Sequence, residues 1–443
     1  MNKPFPDFKN KKILILGLGL LGRGIKDAIF FAEAGAEVTV TDMKNEVQLQ
    51  DAIARLKKYP IKYSLGGHKN EDILNADLII RNAGVPRSSP FLKLAADKKI
   101  PVEMDESLFA RYCPCPIVGV TGTRGKSTTT VLIGKILKNR ETAKRKIYVS
   151  GNLQGEATLP LIGKVRKEDI VVLELSSWQL QGFAADKISP RVAVFTNVFP
   201  DHLNSYADLE EYIADKKYIF QFQKKSDWCV LNAENSATKK MARKIRSRVV
   251  LFSKNDIPEN WHLKLKGEHN RENAAAAKAV GRIFKVPEDA IRKTISEFAG
   301  LEHRLEFVKK INSVAFVNDT TSTTPVAGEK ALDSIEGPVI ISAGGATKNL
   351  DLGGFAKAIA EKAKAVVLLE GTATDELEEK IRNSGGGKLL VGRFGNFQEA
   401  IERAYRLSLP GDTVLLSPGC ASFGMFANEF DRGEQFKKIV NNL

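Results

Sequence analysis

The chain has 443 residues, a formal net charge of +14 at pH 7, 43% hydrophobic residues and 27% charged residues. This length suits roughly two to four domains, and the composition is typical of a soluble globular enzyme. Because the Lys and Arg residues are spread along the chain beside acidic ones, the charge favours polyanionic small molecules such as nucleotides over nucleic acid.

A membrane span is not expected, since no run of about 18 apolar residues occurs. The N-terminus lacks the apolar segment of a signal peptide. The four cysteines are few and are expected to be reduced thiols. These features predict a cytoplasmic protein without a membrane partner.

The first segment alternates strands and helices. Apolar residues 13–16 predict a strand, and residues 17–22 form a G-x-G-x-x-G turn before a helical stretch. Strands are predicted again at 37–41, ending at Asp42, and at 76–80. This alternation predicts a parallel, doubly wound sheet.

The G-x-G-x-x-G turn by itself is typical of an NAD-dependent dehydrogenase. Physically, its glycines let the backbone approach a pyrophosphate, and the carboxylate of Asp42 can accept hydrogen bonds from a hydroxyl or imide. Any nucleoside diphosphate could therefore bind here, and a purely structural tight turn remains the alternative.

The second segment follows Pro114 and Pro116. A strand at 117–120 leads into Gly122-Thr123-Arg124-Gly125-Lys126-Ser127 and a threonine-rich helix start. Backbone N–H groups, a lysine and a hydroxyl in this order predict a phosphate-binding loop, although Val120 stands where the full G-x-x-x-x-G-K-[ST] pattern has glycine. Strands are predicted at 170–175 and 192–196, and helices at 209–223 and 271–284.

Several polar residues in this segment are candidates for a functional role. Glu174 ends an apolar strand, where a carboxylate is costly to bury unless it pairs with a cation, so it is either a Mg²⁺ ligand or a salt-bridged structural residue. His202 follows a strand end and allows a functional or a structural interpretation. For Lys216, spacing alone favours a solvated helix face. Asn270 and Asn273 share one helix face and would either contact a base edge or cap the helix.

The third segment starts near Leu301 and has strands predicted at 314–317, 339–342, 365–369 and 413–416, again separated by helical stretches. It is also α/β.

The combined pattern closely resembles the Mur ligase family. The resemblance rests on motifs in all three segments: Thr121–Thr128, Glu174–Gln179, Asn197–Leu203, Tyr212–Lys216, Gly267–Asn273, His303-Arg304, Asn318-Asp319 and Leu416–Phe423. It implies an α/β fold of three domains: a Rossmann-like domain over 1–113 that binds the UDP substrate, a central P-loop-type ATPase domain with a parallel sheet over 114–300, and a Rossmann-like domain over 301–443 that binds the amino acid.

Within the family the pattern is most similar to members that add D-glutamate to UDP-N-acetylmuramoyl-L-alanine in peptidoglycan precursor synthesis. The Gly-Leu-Gly-Leu-x-Gly opening with Asp42 and the stretch from Cys420 to Gly433 carry this similarity. The implied reaction consumes ATP, uses two Mg²⁺ ions and passes through an acyl phosphate. A cytoplasmic monomer without a nucleic acid partner is expected.

The resemblance also implies a role for each matching residue. The implied catalytic residues are Lys126, Glu174, His202 and Lys216. The implied metal ligands are Ser127, Glu174, His202 and Lys216, the last as a carbamate. The implied ATP contacts are Gly122, Thr123, Arg124, Gly125, Lys126, Ser127, Thr128, Asn270, Asn273, Arg304 and Asp319. The implied contacts to the UDP substrate are Gly19, Leu20, Leu21, Asp42, Met43 and Asn152, and those to the amino acid are Thr323, Lys348, Ser422 and Phe430.

The chain departs from the family pattern in three places. Arg124 stands where asparagine is commoner, Thr321 where these ligases commonly have a lysine, and Asn428-Glu429-Phe430 replaces Asn-Phe-Glu. L-Glutamate or another small amino acid therefore remains an alternative substrate. An oxidoreductase or a non-catalytic nucleotide-binding module would leave the polar residues of the central segment unexplained.

Overall fold

The computed structural model describes residues 5–18, 22–153, 157–199, 206, 208–265 and 267–443. The chain divides into two compact units, Met1–Phe298 and Ala299–Leu443. The first unit contains two sheets and the second contains one.

The first sheet of the first unit is parallel throughout. Its strands are β1 (Lys12–Leu16), β2 (Glu37–Asp42), β3 (Ile61–Leu65), β4 (Leu78–Arg81) and β5 (Val102–Glu103). Its helices are α1 (Arg23–Glu33), α2 (Gln50–Leu56), α3 (Asn70–Leu74), α4 (Pro90–Asp97) and α5 (Asp105–Tyr112). The strand order β3-β2-β1-β4-β5 reverses direction between β1 and β4, which confirms the predicted doubly wound sheet and leaves a crevice at the carboxyl end of β1.

The second sheet of this unit is also parallel. Its strands are β6 (Ile117–Thr121), β7 (Ile147–Gly151), β8 (Ile170–Glu174), β9 (Val192–Phe195), β10 (Trp228–Asn232) and β11 (Arg248–Phe252). Its helices are α6 (Lys126–Lys138), α7 (Ser177–Asp186), α8 (Leu209–Gln221), α9 (Ser236–Met241), α10 (Glu268–Ile283) and α11 (Glu288–Glu297). The order β11-β10-β9-β6-β8-β7 places β6 between β8 and β9, so the residues that follow these three strands meet at one edge.

Local sequence explains the central elements of this sheet. Every residue of β6 and β8 is buried, which fits their nearly continuous apolar runs. Helix α7 begins with a capping box in which Ser176 and Gln179 bond each other's backbone N–H groups. Asp208 caps the start of helix α8, because its side chain accepts a hydrogen bond from the N–H of Glu211.

The two sheets of the first unit share one apolar core. Phe31 of α1, Phe109 of α5 and Phe183 of α7 are fully buried in the same cluster. At its border, Arg111 of α5 forms ion pairs with Glu103 and with Asp186 of α7. The helices of the first sheet therefore pack directly on those of the second.

The second unit has a mixed sheet. Its strands are β12 (Glu306–Ile311), β13 (Val314–Asn318), β14 (Val339–Gly344), β15 (Ala363–Leu369), β16 (Leu390–Phe394) and β17 (Thr413–Leu416). Its helices are α12 (Pro325–Ser334), α13 (Gly353–Lys362), α14 (Thr374–Ile381), α15 (Phe397–Arg406) and α16 (Glu429–Asn442). The order is β12-β13-β17-β14-β15-β16, with β12 antiparallel to β13 and the other pairs parallel.

Strand β12 was not predicted from the sequence. It is an edge strand without a fully buried residue, so it lacks the apolar run that marked its neighbours. Asn312 and Ser313 join it to β13 with positive φ angles of 46° and 65°, which is the backbone of a two-residue hairpin turn. Predicted element ends also shift: α10 begins at Glu268 rather than 271, and α8 ends at Gln221 rather than 223.

Across the described ranges, no helix is both long and apolar enough to cross a membrane.

Removing the Phe355 side chain should destabilise the second unit. Its ring is fully buried and so close to Gly328 and Gly419 that a Cβ on either glycine would lie 2.5 or 2.2 Å from it. Phe355→Ala should lower the free energy of unfolding by about 3–5 kcal/mol. Hydrogen exchange of β14 and β15 measures this. The control is Phe307→Ala, because Phe307 is 56% exposed and should change it by less than about 0.5 kcal/mol. Equal effects would contradict the prediction.

Candidate active site

The phosphate-loop candidate, residues 122–127, follows the buried strand β6 and includes the first two residues of α6. Gly122 and Gly125 have φ angles of 149° and 77°. A Cβ on Gly122 would lie 1.9 Å from Thr196 Oγ1, and one on Gly125 would lie 2.2 Å from Asn273 Oδ1. Only glycine fits both positions, so the backbone comes close to its neighbours here.

Thr196 and Asn197, which follow β9, fix the conformation of the loop through hydrogen bonds. Asn197 Oδ1 accepts a hydrogen bond from the N–H of Arg124 at 2.8 Å, and Asn197 Nδ2 donates to the carbonyl of Arg124 at 3.1 Å. Thr196 Oγ1 donates to the same carbonyl at 2.7 Å. Gly125 precedes the helix and has no side chain to cap the N–H groups of its first turn, where Ser127 and Thr128 lie. Such a helix start is suited to an anion.

Two lysine side chains converge on this loop. Lys126 Nζ donates to the carbonyl of Thr123 at 3.0 Å. Lys216 Nζ, from α8, donates to the carbonyl of Gly122 at 3.0 Å and lies 4.5 Å from the centre of the Tyr212 ring. Lys216 is 1% exposed, so the solvated helix face that spacing alone favoured is wrong for this residue.

Glu174 lies one strand away, at the end of β8, beside Val120 of β6. It is buried, and its Oε1 accepts a hydrogen bond from Asn152 Nδ2 at 2.9 Å. Its Oε2 is buried and has no hydrogen-bond partner among the described residues. A buried carboxylate oxygen in this state fits a divalent cation, which prefers oxygen ligands.

Asn273 of α10 lies against Gly125 of the same loop, and Asn270 contacts Asn273. Asn273 Oδ1 accepts a hydrogen bond from Thr129 Oγ1 at 3.2 Å, and Asn273 Nδ2 donates to Asn270 Oδ1 at 3.2 Å. The residue at the N-cap of α10 is Gly267, so neither asparagine caps the helix. The capping alternative is therefore wrong.

The glycine turn of the first sheet is tied to Asp42, at the end of β2. Asp42 Oδ2 accepts a hydrogen bond from the N–H of Leu18 at 2.8 Å, and Oδ1 accepts one from the N–H of Lys44 at 2.9 Å. Asp42 is buried, whereas Met43 is 66% exposed. Gly19, Leu20 and Leu21, predicted to contact the UDP group, lie outside the described residues, and so does His202.

In the second unit, Asp319 lies at the end of β13 and is buried. Its Oδ1 accepts a hydrogen bond from the N–H of Leu305 at 3.0 Å, and its Oδ2 accepts bonds from Ser322 and Ser417. Burial raises the pKa of Asp319 to about 6, although those hydrogen bonds and the charge of Arg304 act in the opposite direction. Arg304 itself is exposed.

A small cavity in this unit contains two of the predicted amino-acid contacts. Thr323 and Lys348 line it, and Lys348 Nζ donates to Thr323 Oγ1 at 2.9 Å. Thr321 lies differently: its hydroxyl donates to the carbonyl of His303 at 2.9 Å. Of the other two predicted contacts, Ser422 has a buried Oγ without a partner among the described residues, and Phe430 is 37% exposed.

Comparison with known proteins decides the family. The Mur ligase MurD-like N-terminal domain matches residues 11–103, the Mur ligase middle domain matches 120–262, and the Mur ligase glutamate ligase domain matches 303–420. Relatives called UDP-N-acetylmuramoylalanine–D-glutamate ligase are 38% identical in Roseiflexus sp. (strain RS-1) and 36% identical in Clostridium tetani (strain Massachusetts / E88). They cover 98% and 100% of this chain, and 99% and 100% of their own lengths are matched.

This chain belongs to the Mur ligase family. A solved structure with the same fold is a UDP-N-acetylmuramate-alanine ligase from Thermotoga maritima, with a TM-score of 0.55 and 19% identity over 98% of this chain and 100% of that chain. As a Mur ligase, the chain is an ATP-dependent ligase that forms an amide bond. The NAD-dependent oxidoreductase suggested by residues 17–22 is therefore rejected.

The structure also places residues in this site that were not singled out from the sequence. Arg23, the first residue of α1, donates hydrogen bonds to the carbonyl of Gly151 and to Asn152 Oδ1. In the chain it lies 128 residues from Gly151, and no local pattern linked the two. The only feature of the sequence that could have marked Arg23 as a site residue was its position directly after the glycine turn.

The raised pKa of Asp319 should appear in the stability of this Mur ligase. An unfolded Asp has a pKa of about 3.9, whereas folded Asp319 has a pKa of about 6, so the folded state binds more protons between these values. The contribution of Asp319 to stability is therefore present at low pH and is lost as the pH rises from about 4 to about 6.

Asp319→Asn keeps the shape of the side chain and removes the titration. We expect the variant to gain stability relative to the wild type as the pH rises from 4 to 7, measured by urea unfolding at each pH. A constant difference across this range would contradict the assigned pKa.

Proposed function

We propose that this chain joins D-glutamate to the L-alanine carboxylate of UDP-N-acetylmuramoyl-L-alanine, with ATP as the second substrate. Support comes from the full-length similarity to ligases named for this reaction, including one that is 34% identical in Symbiobacterium thermophilum (strain DSM 24528 / JCM 14929 / IAM 14863 / T). The observation that carries the chemistry is the meeting of Lys126, Lys216 and the Gly122–Gly125 loop beside Glu174.

We assign the UDP group to residues 1–113, ATP to 114–300 and the amino acid to 301–443, in a monomeric cytoplasmic enzyme. The glycine turn braced by Asp42 would hold the uridine diphosphate, because its backbone can approach a pyrophosphate closely. Asn270 and Asn273 would contact the adenine side of ATP, and Arg304 and Asp319 would add contacts from the second unit.

The reaction would run in two steps. The alanine carboxylate attacks the γ-phosphorus of ATP, which releases ADP and leaves an acyl phosphate. The amine of the amino acid then attacks the acyl carbon, and phosphate leaves. Lys126 and the loop N–H groups would stabilise the negative charge on the transferred phosphoryl group, since they lie at the helix start where that charge develops.

Two Mg²⁺ ions are part of the proposal. Glu174 and Ser127 would hold one, with the buried Glu174 Oε2 as a fitting oxygen ligand. His202 and Lys216 would hold the other, Lys216 as the carbamate that forms when its neutral amine adds to CO₂ and loses a proton. When bound, the ions would neutralise charge between a carboxylate and a triphosphate.

The amino acid would bind in the cavity of the second unit that Thr323 and Lys348 line. Lys348 and Thr323 would hold the side-chain carboxylate of the amino acid in this cavity. Ser422 and Phe430, which follow the cavity residue Cys420 in the chain, are the other two proposed contacts. Thr321 brings no positive charge where these ligases commonly have a lysine, and its hydroxyl already donates to a backbone carbonyl. L-Glutamate is therefore the second candidate.

A phosphate-release assay with UDP-N-acetylmuramoyl-L-alanine, ATP and a panel of D- and L-amino acids tests the proposal. D-Glutamate should give the highest kcat/KM. Lys126→Ala should lower the turnover by about 100-fold, the scale for losing one charge-stabilising donor. Lys138→Ala, on an exposed face of the same helix, should not change it. A preference for L-glutamate would overturn the substrate, and normal turnover by Lys126→Ala would overturn the loop assignment.

Lys216→Ala tests the carbamate. The variant should be inactive and should recover part of its turnover when short-chain carboxylic acids such as acetate are added, because they can replace the missing anion. The neighbouring variant Lys217→Ala is the matched control and should keep its activity without acetate. Full activity of Lys216→Ala, or inactivity that no carboxylic acid relieves, would argue against a carbamate at this residue.

A further inference from the structure

Arg23 joins the helix that follows the glycine turn to the edge of the second sheet. Its Nη2 donates to the carbonyl of Gly151 at 3.1 Å and to Asn152 Oδ1 at 3.2 Å. Its side chain is 16% exposed. One guanidinium nitrogen thus contacts both residues at the end of β7.

Asn152, in turn, donates hydrogen bonds to Glu174. Its Nδ2 donates to Glu174 Oε1 at 2.9 Å, and its backbone N–H donates to the carbonyl of Glu174 at 2.8 Å. An amide side chain has one oxygen and one NH₂ group. Because Arg23 binds the oxygen, the NH₂ group must face Glu174; the opposite orientation would place the amide oxygen against a carboxylate.

Buried acidic residues hold Arg23 from the other side. Its Nε lies 3.6 Å from Asp105 Oδ2, and its Nη1 lies 3.5 Å from Glu106 Oε1. Glu106 is fully buried and also accepts a hydrogen bond from Gln179 Nε2, in the first turn of α7. Burial lowers the pKa of Arg23, but Glu106, Asp105, Asp27 and Glu174 raise it more, so the guanidinium stays charged.

We propose that Arg23 is a positioning residue that fixes Asn152 so that one oxygen of Glu174 is hydrogen-bonded and the other is left for the metal ion. This inference rests on the proposed role of Glu174 as a metal ligand. The hydrogen-bond partners of metal ligands typically set metal affinity by about 10–100-fold. Arg23 follows the glycine turn directly, so it also connects the proposed UDP-binding turn to the proposed metal site.

Arg111 provides a matched control within the same unit. It too is an arginine that joins the two sheets, through Glu103 and Asp186. Among the described residues, its hydrogen bonds and ion pairs are with those two acids, not with Asn152 or Glu174. A general weakening of the contact between the sheets should therefore appear in both variants, whereas a specific effect on the metal site should appear only for Arg23.

The test measures nucleotide binding rather than turnover. The dissociation constant of the full-length protein for a fluorescent ADP analogue is measured with Mg²⁺ and with EDTA, and the ratio gives the gain in affinity that the metal provides. Arg23→Met should reduce this gain by about 10-fold and leave the value in EDTA unchanged. Arg111→Met should keep the gain. Adding Arg23→Met to Asn152→Ala should cause no loss beyond that of Asn152→Ala alone, because Arg23 acts through Asn152.

Arg23→Lys guards against a folding defect, since it keeps a cation among the buried acids but lacks the guanidinium fork. It should also reduce the gain. If Glu174→Gln reduces the gain but both Arg23 variants keep it, the positioning role is overturned and the metal site stands. If Glu174→Gln keeps the full gain, the proposed metal ligand itself is wrong. If Arg111→Met loses as much as Arg23→Met, Arg23 only joins the two sheets.

Discussion

A carboxylate buried at the end of a strand organises this molecule. Glu174 ends a run of five buried residues, and a charge in that position is unfavourable unless other groups compensate for it. The compensation comes from distant parts of the chain: an amide at the end of β7, and through it a guanidinium at the start of α1. The parallel sheet makes this possible, because the ends of β6, β7 and β8 lie at one edge.

The same edge carries the opposite charges. Lys126 and Lys216 reach the loop from two different helices, and both donate hydrogen bonds to its carbonyl oxygens. Lys126 lies at a helix start that already favours anions, which produces a site suited to a highly charged phosphate chain. The fold thus places a carboxylate suited to a metal ion and a lysine suited to phosphates at the ends of neighbouring strands.

Features of the fold and the site that depend on neighbouring residues were predictable from the sequence, whereas contacts between residues far apart in the chain were not. The loop at Gly122–Ser127 and the doubly wound first sheet follow from local spacing, and the sequence predicted both. Lys216 contacts a residue 94 positions away, so its burial could be inferred only through the family resemblance. Strand β12 was missed because an exposed edge strand needs no apolar run. The Arg23 contact was missed because nothing near Arg23 in the sequence indicates Asn152.

The close contacts at Gly122 and Gly125 have a consequence for inhibitor design. Any other amino acid would place a Cβ about 2 Å from Thr196 Oγ1 or Asn273 Oδ1, so a neighbouring side chain would have to move, and the positive φ would also strain the backbone. An inhibitor that binds the backbone N–H groups of this loop would therefore be hard to evade by substitution at either glycine. Resistance would have to arise at the other residues that contact the inhibitor.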